Sequence, residues 1–273
     1  MPGAAKKNKI QLSILMIHAI MVLFVLFCVL PILLVVVISF MNEKEIFTTG
    51  YTFFPHQYTL AAYKQIFLNP KQLINSYTVT VITTGVGTIL GLWLTASMAY
   101  VISRRDYRFR KVFAFYVFFT MLFNGGLVPV YIMIVSWLTI NNTCLALIYP
   151  YLCGSFNVIL MRGFFQTIPP ALIESAKIDG ASELRTFVQL VLPLSKPGLA
   201  TVGLFIAFSY WNDWFQSLMY TNKPQLISLQ YLLVSIMKNI EFLNSAAGRL
   251  MSGSTVELPQ YSARMAMCVL AAG

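Results

Sequence analysis

The amino-acid sequence predicts an all-α fold, that of a polytopic membrane protein with about six transmembrane helices. Of its 273 residues 58% are hydrophobic and only 10% are charged, whereas about a quarter of the residues in soluble domains are charged. Several apolar stretches exceed the roughly 18 to 20 residues that a helix needs to cross a bilayer. The basic residues lie in short segments between these stretches. Lipid is therefore the expected solvent for most of the chain.

The charge distribution predicts an orientation. A net charge of +10 could indicate nucleic-acid binding, but that function needs basic residues gathered on one soluble face. Lys and Arg instead accumulate in the short loops that stay in the cytoplasm. Three basic residues precede the first span, five surround the single acid Asp106 in residues 104–111, and four lie in residues 162–196, which makes 12 of the 19. We expect a cytoplasmic amino terminus and no nucleic-acid partner.

The first predicted membrane helix runs from about Ile14 to Phe40, after a cytoplasmic terminus formed by residues 1–13. Its apolar run is longer than the roughly 7 to 15 residues of a signal-peptide core, so we expect it to stay uncleaved. Pro31 predicts a kink, which other helices can tolerate by satisfying the freed carbonyl. Residues 41–76 are polar and aromatic with several Gly, Pro and Asn residues, which predicts an external loop.

Three further spans are predicted in the middle of the chain. The second covers about Val79–Ile102, and its glycines would allow a neighbouring helix to approach closely: Gly85, Gly87 and Gly91. The third covers residues 112–137 and should be broken or bent at Asn124-Gly125-Gly126-Leu127-Val128-Pro129. The fourth covers about Cys144–Met161 and contains Pro150.

Residues 166–196 differ from these spans, because charged residues recur every few positions and no long window is continuously apolar. Pro169 and Pro170 suit a helix start, and Gly180 suits a left-handed helix end. Beyond it, apolar residues at spacings of three and four predict one stripe: Leu184, Phe187, Val188, Val191 and Leu192. We expect two short helices closed by Pro193 and Pro197. Such a pair suits either lipid headgroups or the groove of a protein partner.

A motif in this segment favours the protein partner. The residues that form it are Glu174, Ser175, Ala176, Asp179, Gly180 and Ala181, followed by Leu192 and Pro193. This spacing resembles the EAA loop of binding-protein-dependent ABC importer permeases, with Ser175 where the family usually has Ala. The resemblance covers essentially the whole chain and is to the maltose-type carbohydrate permeases. The segment from Asn124 to Tyr131 resembles a narrower subgroup that imports complex polysaccharide fragments.

The resemblance implies a type I ABC importer transmembrane domain in the bacterial cytoplasmic (inner) membrane. Such a permease subunit would form half of the pathway for a sugar, an oligosaccharide or a polysaccharide fragment. Its partners would be a second permease subunit in a heterodimer, two ATPase subunits that bind ATP and Mg, an extracytoplasmic sugar-binding protein and membrane lipid. The helix pair would be the coupling element, with Glu174 meeting a basic residue of the ATPase and Gly180 permitting the turn.

The sequence carries no motif for catalysis. It has no GxxxxGK[ST] phosphate loop and no pair of carboxylates within a span. The four cysteines lie in apolar stretches without metal-binding spacing. We expect a non-catalytic subunit that binds no cofactor or metal itself.

The candidate substrate pathway lies at the end of a fifth helix, which is predicted from Gly198 to about Phe215. It comprises Tyr210, Trp211, Asn212, Asp213 and Trp214. Aromatic rings beside amide and carboxylate groups suit the apolar faces and hydroxyls of sugars, but they equally suit an interfacial aromatic belt. Asn124 is a second candidate of the same kind.

The last part of the chain is predicted to contain a loop and an incomplete span. Residues 216–262 are expected to form a long external loop, and residues 265–273 an incomplete sixth span, since nine residues reach only about 14 Å as a helix. The alternative function is a self-contained secondary transporter, which polytopic architecture alone would not exclude. Such a transporter is expected to carry intramembrane acids in two related halves, and the predicted spans hold only Asp213.

Overall fold

The computed structural model describes residues 3–245 and 259–272. Within these residues the regular structure is helical, and the only β-type pairing is an isolated bridge between Met41 and Tyr58. The predicted all-α fold is therefore confirmed for the described chain. The chain divides into two compact units, one formed by Pro70–Val234 and the other by the residues on either side of it.

The described α-helices are, in chain order, α1 Gly3–Ser39, α2 Glu43–Thr49, α3 Ala61–Ile66, α4 Pro70–Ser103, α5 Arg110–Leu122, α6 Leu127–Ile132, α7 Cys144–Ile148, α8 Ser155–Gln166, α9 Pro170–Ile178, α10 Glu183–Thr186, α11 Leu192–Leu194, α12 Lys196–Trp211, α13 Phe215–Tyr220, α14 Leu229–Asn244 and α15 Tyr261–Ala272. Two π-helical turns, Met133–Trp137 and Phe187–Val191, follow α6 and α10 directly. Two 3-10 turns occupy Tyr149–Tyr151 and Pro224–Leu226.

In the unit that contains both ends of the described chain, α1 packs against α15. A small core forms where α1 ends, from buried Ile38, Met41 and Ile46. α1 continues as one helix past Pro31 and begins at Gly3, so residues predicted as a separate terminus belong to the same helix. The carboxylate of Glu43 accepts hydrogen bonds from three backbone N–H groups of residues 260–262, at 2.8 to 3.1 Å. This carboxylate caps the start of α15.

In the Pro70–Val234 unit, α4 packs against both α8 and α12 over a shared apolar core. α4 begins nine residues before the predicted span, at Pro70, which the sequence suggested was part of a loop. Proline is favoured at a first helical position because its missing N–H would have no partner there. A Cβ on Gly87 would lie 2.5 Å from Tyr210 Cζ, and one on Gly91 would lie 3.1 Å from a backbone oxygen. The predicted close approach is therefore confirmed at these two positions but not at Gly85, where a Cβ would meet no atom of the described residues within 4 Å.

The third and fourth predicted spans are both broken. α5 meets the helical segment Leu127–Trp137 at an angle of 112°. Gly126 turns the chain with φ +88°, and its N–H donates to the side-chain oxygen of Asn124 at 2.9 Å. This break is predicted by the sequence, although the turn is sharper than a bend within one span. The fourth span is bent by 54° between Tyr151 and α8, which ends at Gln166, beyond the predicted Met161.

Two unbroken helices in the described chain, Ile14–Ser39 and Pro70–Ser103, are long and apolar enough to cross a membrane, and counting each of three bent pairs as one span gives up to five. α15 has 12 residues, about 18 Å of helix. Residues 216–245 are largely helical rather than a loop, because the apolar residues of α14 recur at helical spacing among polar ones. Residues 246–258 of the predicted external loop lie outside the described residues.

Candidate functional site

The predicted turn between two short helices is present in residues 166–196. α9 ends in a Schellman motif, in which the N–H of Ala181 donates to the carbonyl of Ala176 at 2.9 Å and the N–H of Gly180 donates to that of Lys177 at 3.0 Å. Gly180 has φ +78°, a left-handed conformation that costs a residue with a Cβ about 1 to 2 kcal/mol. The predicted role of Gly180 as a turn residue is confirmed.

The second helix of the pair starts at a capped end. The hydroxyl of Ser182 accepts a hydrogen bond from the backbone N–H of Arg185 at 3.3 Å. The helical path then runs through the π-turn and α11 to Leu194, so Pro193 lies inside it instead of closing it. It ends at Ser195, where the chain bends by 85° into α12.

The predicted apolar stripe of the second helix is divided between two environments. Phe187 and Val191 are buried in the core of the unit, whereas Leu184 is 67% exposed and Val188 is 40% exposed. The stripe is wider than the surface that α4 and α8 offer it. Leu184 and, from α9, Ile178 at 85% exposure therefore leave an apolar surface at the turn of the helix pair.

The residues of the predicted motif take different positions around this turn. Glu174, Ser175, Asp179, Gly180 and Pro193 are exposed, and Ala176, Ala181 and Leu192 are partly buried. Glu174 makes no hydrogen bond or ion pair to the residues that the structure describes. The motif thus exposes two carboxylates, those of Glu174 and Asp179, that have no side-chain partner among the described residues. Carboxylates beside exposed apolar side chains are a suitable arrangement for binding a protein partner.

Four charged side chains, which the sequence prediction did not bring together, form a closed ring beside the turn. Arg104 lies 2.8 Å from Asp106 and 3.4 Å from Glu183, and Lys177 lies 2.5 Å from Asp106 and 2.9 Å from Glu183. The hydroxyl of Tyr100 donates to Glu183 at 2.7 Å. We call these five residues the charge ring; it joins the end of α4 to α9 and α10.

Electrostatics keep the ring ionised. Lys177 donates a hydrogen bond to Asp106 and lowers the pKa of that carboxyl to about 2, and the same bond raises the pKa of the Lys177 ammonium. The contacts that join residues 100–106 to Lys177 and Glu183 link residues 71 to 83 positions apart in sequence. The only local signal for them is that Asp106 is a lone acid within a strongly basic segment.

A cavity of about 580 Å³ lies next to the charge ring, between residues 103–110, the end of α8 and α9. Glu174 lines it together with Arg105 and Arg110. Glu174 is therefore an exposed residue at a cavity that two arginines also line.

The predicted substrate-pathway residues do not share one surface. Asp213 is 9% exposed, accepts a hydrogen bond from the Tyr151 hydroxyl at 3.1 Å, and caps α13 through the N–H of Gln216. Tyr210 is also buried and donates to the carbonyl of Ile148 at 2.7 Å.

The other members of the predicted pathway lie nearer the surface. Asn212 and Trp214 are exposed, and Trp211 is partly buried. Asn124 is exposed and caps the turn at Gly126. The pathway prediction thus separates into two buried structural residues, Tyr210 and Asp213, and a set of more accessible ones.

Comparison with known proteins places this fold in a family. Residues 15–272 match the family model described as "Binding-protein-dependent transport system inner membrane component". The chain belongs to this family. It is 36% identical over 263 residues to the polygalacturonan/rhamnogalacturonan transport system permease protein YtcP of Bacillus subtilis. The aligned residues make up 96% of this chain and 91% of the relative. It is 40% identical over 218 residues to the protein LplC of the same organism, 79% of this chain and 73% of the relative.

A solved structure with the same fold supports this membership. The fold matches a crystal structure of a bacterial ABC transporter involved in the import of the acidic polysaccharide alginate, with a TM-score of 0.76 and 27% identity over 99% of this chain and 94% of the other. The family and the fold class expected from the sequence are confirmed. The chain is a membrane protein, a permease subunit of an ABC importer.

Proposed function

We propose that this permease forms half of the translocation pathway for an oligosaccharide or polysaccharide fragment and works by alternating access driven by a separate ATPase. The observation that carries the proposal is the fold match to the alginate importer over 99% of the chain. The polygalacturonan/rhamnogalacturonan permease YtcP, at 36% identity, supports the same class of substrate. Rigid-body movement of helix bundles around a site in the membrane is the expected mechanism.

The proposed assembly contains a second, different permease subunit, two ATPase subunits and an extracytoplasmic sugar-binding protein. The sequence of this chain has no phosphate loop, so we assign the binding of ATP and Mg, and hydrolysis, to the ATPase subunits. This subunit is then non-catalytic and binds no cofactor. The basic segments 104–111 and 162–196 support an orientation with the amino terminus and the helix pair on the cytoplasmic side of the bacterial inner membrane.

The helix pair is the proposed contact with the ATPase. Ile178 and Leu184 supply the exposed apolar part of this contact, and Glu174 supplies a carboxylate for a basic residue. Aliphatic side chains in a partner's groove contribute most of the affinity of such helices, while charge pairs fix their register. Because the turn is held by a Schellman motif and a capped second helix, the pair can transmit movement without unfolding.

The accessible residues of the predicted pathway are the proposed sugar contacts. Trp214 offers a ring for the apolar face of a sugar, and Asn212 and Asn124 offer amides for its hydroxyls. Tyr210 and Asp213 support them from within the protein, since both are buried and hydrogen-bonded.

Uptake by the complete importer in proteoliposomes tests this function. The parent complex should accumulate oligogalacturonides only with ATP and the binding protein present. Glu174→Arg should lose both the ATPase during purification and uptake, since two positive charges then meet in the docking groove. The matched control is Arg108→Glu, an exposed charge reversal in the neighbouring basic segment, which should retain both. Normal uptake by Glu174→Arg would refute the coupling role, and uptake by the parent without any ATPase would favour the secondary transporter.

A further inference from the structure

The charge ring connects the proposed coupling element to a helix with which it is not contiguous in sequence. Arg104 and Asp106 follow the end of α4, Lys177 lies in the last turn of α9, and Glu183 opens α10. Each acid contacts both bases, so the four charges alternate around a closed loop. Both helices of the pair are therefore held to the same point.

We propose that the charge ring is a positioning device, which fixes the helix pair to the end of α4 so that movement imposed by the ATPase passes directly into α4. This inference rests on the proposed coupling function of the helix pair. It assigns a role to Tyr100, Arg104, Asp106, Lys177 and Glu183. Lys177 and Glu183 lie within the stretch spanned by the predicted motif, but none of the five is a motif residue.

The need for such a device follows from how the pair is attached through the chain. On its carboxyl side the path bends by 85° at Ser195 before α12 begins. Rotation of the helix pair can be taken up by the backbone at this bend. The covalent connection therefore transmits little of that rotation to α12. On its amino side only residues 167–169 separate α9 from α8. The ring adds a third attachment that does not pass through the bend.

α4, the helix to which the ring attaches the pair, is in a position to pass movement on to other helices. α4 packs against both α8 and α12, and the buried residues in its last turns, Ala96 to Ile102, belong to the same core as those of α8 and α12. Tyr100 also packs between two rings of that core, with centroids 5.0 Å from Phe187 and 6.4 Å from Phe165. Movement of the end of α4 is thereby shared by the three helices.

The ring is suited to positioning more than to holding the fold together. Asp106, Lys177 and Glu183 keep 41% to 56% of their side chains exposed, whereas Arg104 is 10% exposed. Exposed ion pairs contribute little to folding stability because water and salt screen them. Substitutions in the ring should therefore leave a folded permease and change how α9 is oriented.

The test compares Asp106→Asn, Lys177→Met and the double variant in the complete importer reconstituted in proteoliposomes. Each single variant should keep the ATPase through purification but lose roughly fivefold or more of the binding-protein-stimulated ATP hydrolysis, the range of ordinary coupling between sites. Sugar transported per ATP should fall with it. The double variant should be no worse than either single one, since all three break the same ring.

Two controls separate positioning from a general effect of charge. Lys177→Arg should keep the stimulated ATP hydrolysis that Lys177→Met loses, because the positive charge is kept. Arg185→Met should behave like the parent, because Arg185 contacts Gln189 and is not part of the ring. Parent-like stimulation in Asp106→Asn and Lys177→Met would overturn the proposal. Loss of the ATPase itself from these variants would also overturn it, since the ring would then act on docking, which Glu174→Arg tests separately.

Discussion

The contact between Gly87 and Tyr210 gives a prediction that tests how α4 and α12 pack. A Cβ added at Gly87 would lie 2.5 to 2.8 Å from three ring carbons of Tyr210, closer than real contacts allow. The ring has no easy escape, because it is buried and its hydroxyl donates to the carbonyl of Ile148 at 2.7 Å. Gly87→Ala must therefore separate the two helices or expel the ring.

The expected cost of Gly87→Ala follows from three contributions. Overpacking a core costs about 1 to 3 kcal/mol, and losing the Tyr210 hydrogen bond costs about 1 kcal/mol. Alanine returns up to about 1 kcal/mol through its better helix propensity. The net loss in the free energy of unfolding is about 1 to 3 kcal/mol. For a chain of this size a loss of about 2 kcal/mol lowers the apparent melting temperature by roughly 4 to 8 °C.

The assay is the fraction of detergent-solubilised permease that stays monodisperse after heating. Gly85→Ala is the matched control, since it is the same change in the same helix at a position with nothing within 4 Å. It should be neutral or slightly stabilising. A second control, Tyr210→Leu, removes the clashing ring, so adding Gly87→Ala to it should cost little more. Equal melting temperatures for Gly87→Ala and Gly85→Ala would refute the packing of α4 against α12 described above.

Three further predictions concern other parts of the chain. Gly180→Ala should strain the turn by about 1 to 2 kcal/mol, and stimulated ATP hydrolysis by the complete importer should fall. Glu43→Ala should speed amide hydrogen exchange at residues 260–262, which lose the carboxylate that caps them. The low pKa of Asp106 and the raised pKa of Lys177 keep the ring charged, so the difference in stimulated hydrolysis between Lys177→Met and the parent should be constant from about pH 5 to 9.

The stabilising contribution of Asp106 is present above its unfolded pKa and is lost as the pH falls through about 2, and that of Lys177 is lost only above its raised pKa. Gly163→Ala, at a glycine with open space, controls for Gly180→Ala and should leave hydrolysis unchanged. Glu45→Ala frees the N–H groups of residues 56–57 instead and should leave exchange at 260–262 as in the parent. A Lys177→Met defect that disappears between pH 5 and 9 would contradict the ring's ionisation.

Local features of the sequence were sufficient to predict the helix pair. A glycine at a left-handed helix end, prolines at a helix start and an apolar repeat at helical spacing each depend on neighbouring residues alone. The same holds for the break at Asn124 and Gly126, where a short polar side chain caps a glycine turn. Local backbone features did not settle every boundary, since Pro193 lies inside the helical path that it was predicted to close and Pro70 begins α4.

Facing directions around a helix were harder to predict, although the spacing contains part of the answer. Gly85 and Gly87 differ by about 200° around α4, so they cannot both meet the same neighbour, whereas Gly87 and Gly91 are four residues apart and share a face. Of the five residues from Tyr210 to Trp214, the first two differ by about 100° around α12 and the other three follow its end at Trp211, so the five do not share one face.

Longer-range contacts could not be predicted from local sequence, in which the lone acid Asp106 within a basic segment gives no indication of its distant partners. The charge ring joins residues 71 to 83 positions apart, and only the packing of α4 against the helix pair brings them together. α14 was predicted as part of a loop for a different reason. Polar residues on one face of a helix lower the average hydropathy of the segment, even though its apolar residues still recur at helical spacing.

The glycine contacts at the two ends of α12 restrict what its movement can be. Near its start, a Cβ on Gly198 would lie 2.5 Å from Phe164 of α8, and near its end Tyr210 covers Gly87 of α4. Sliding α12 along either neighbour would drive these rings into backbone, because each fits only over a residue without a side chain. α4, α8 and α12 should therefore move together. If the charge ring acts as proposed, a displacement of α4 is expected to reach Asn212 and Trp214, the proposed sugar contacts that follow α12, as a rigid-body motion.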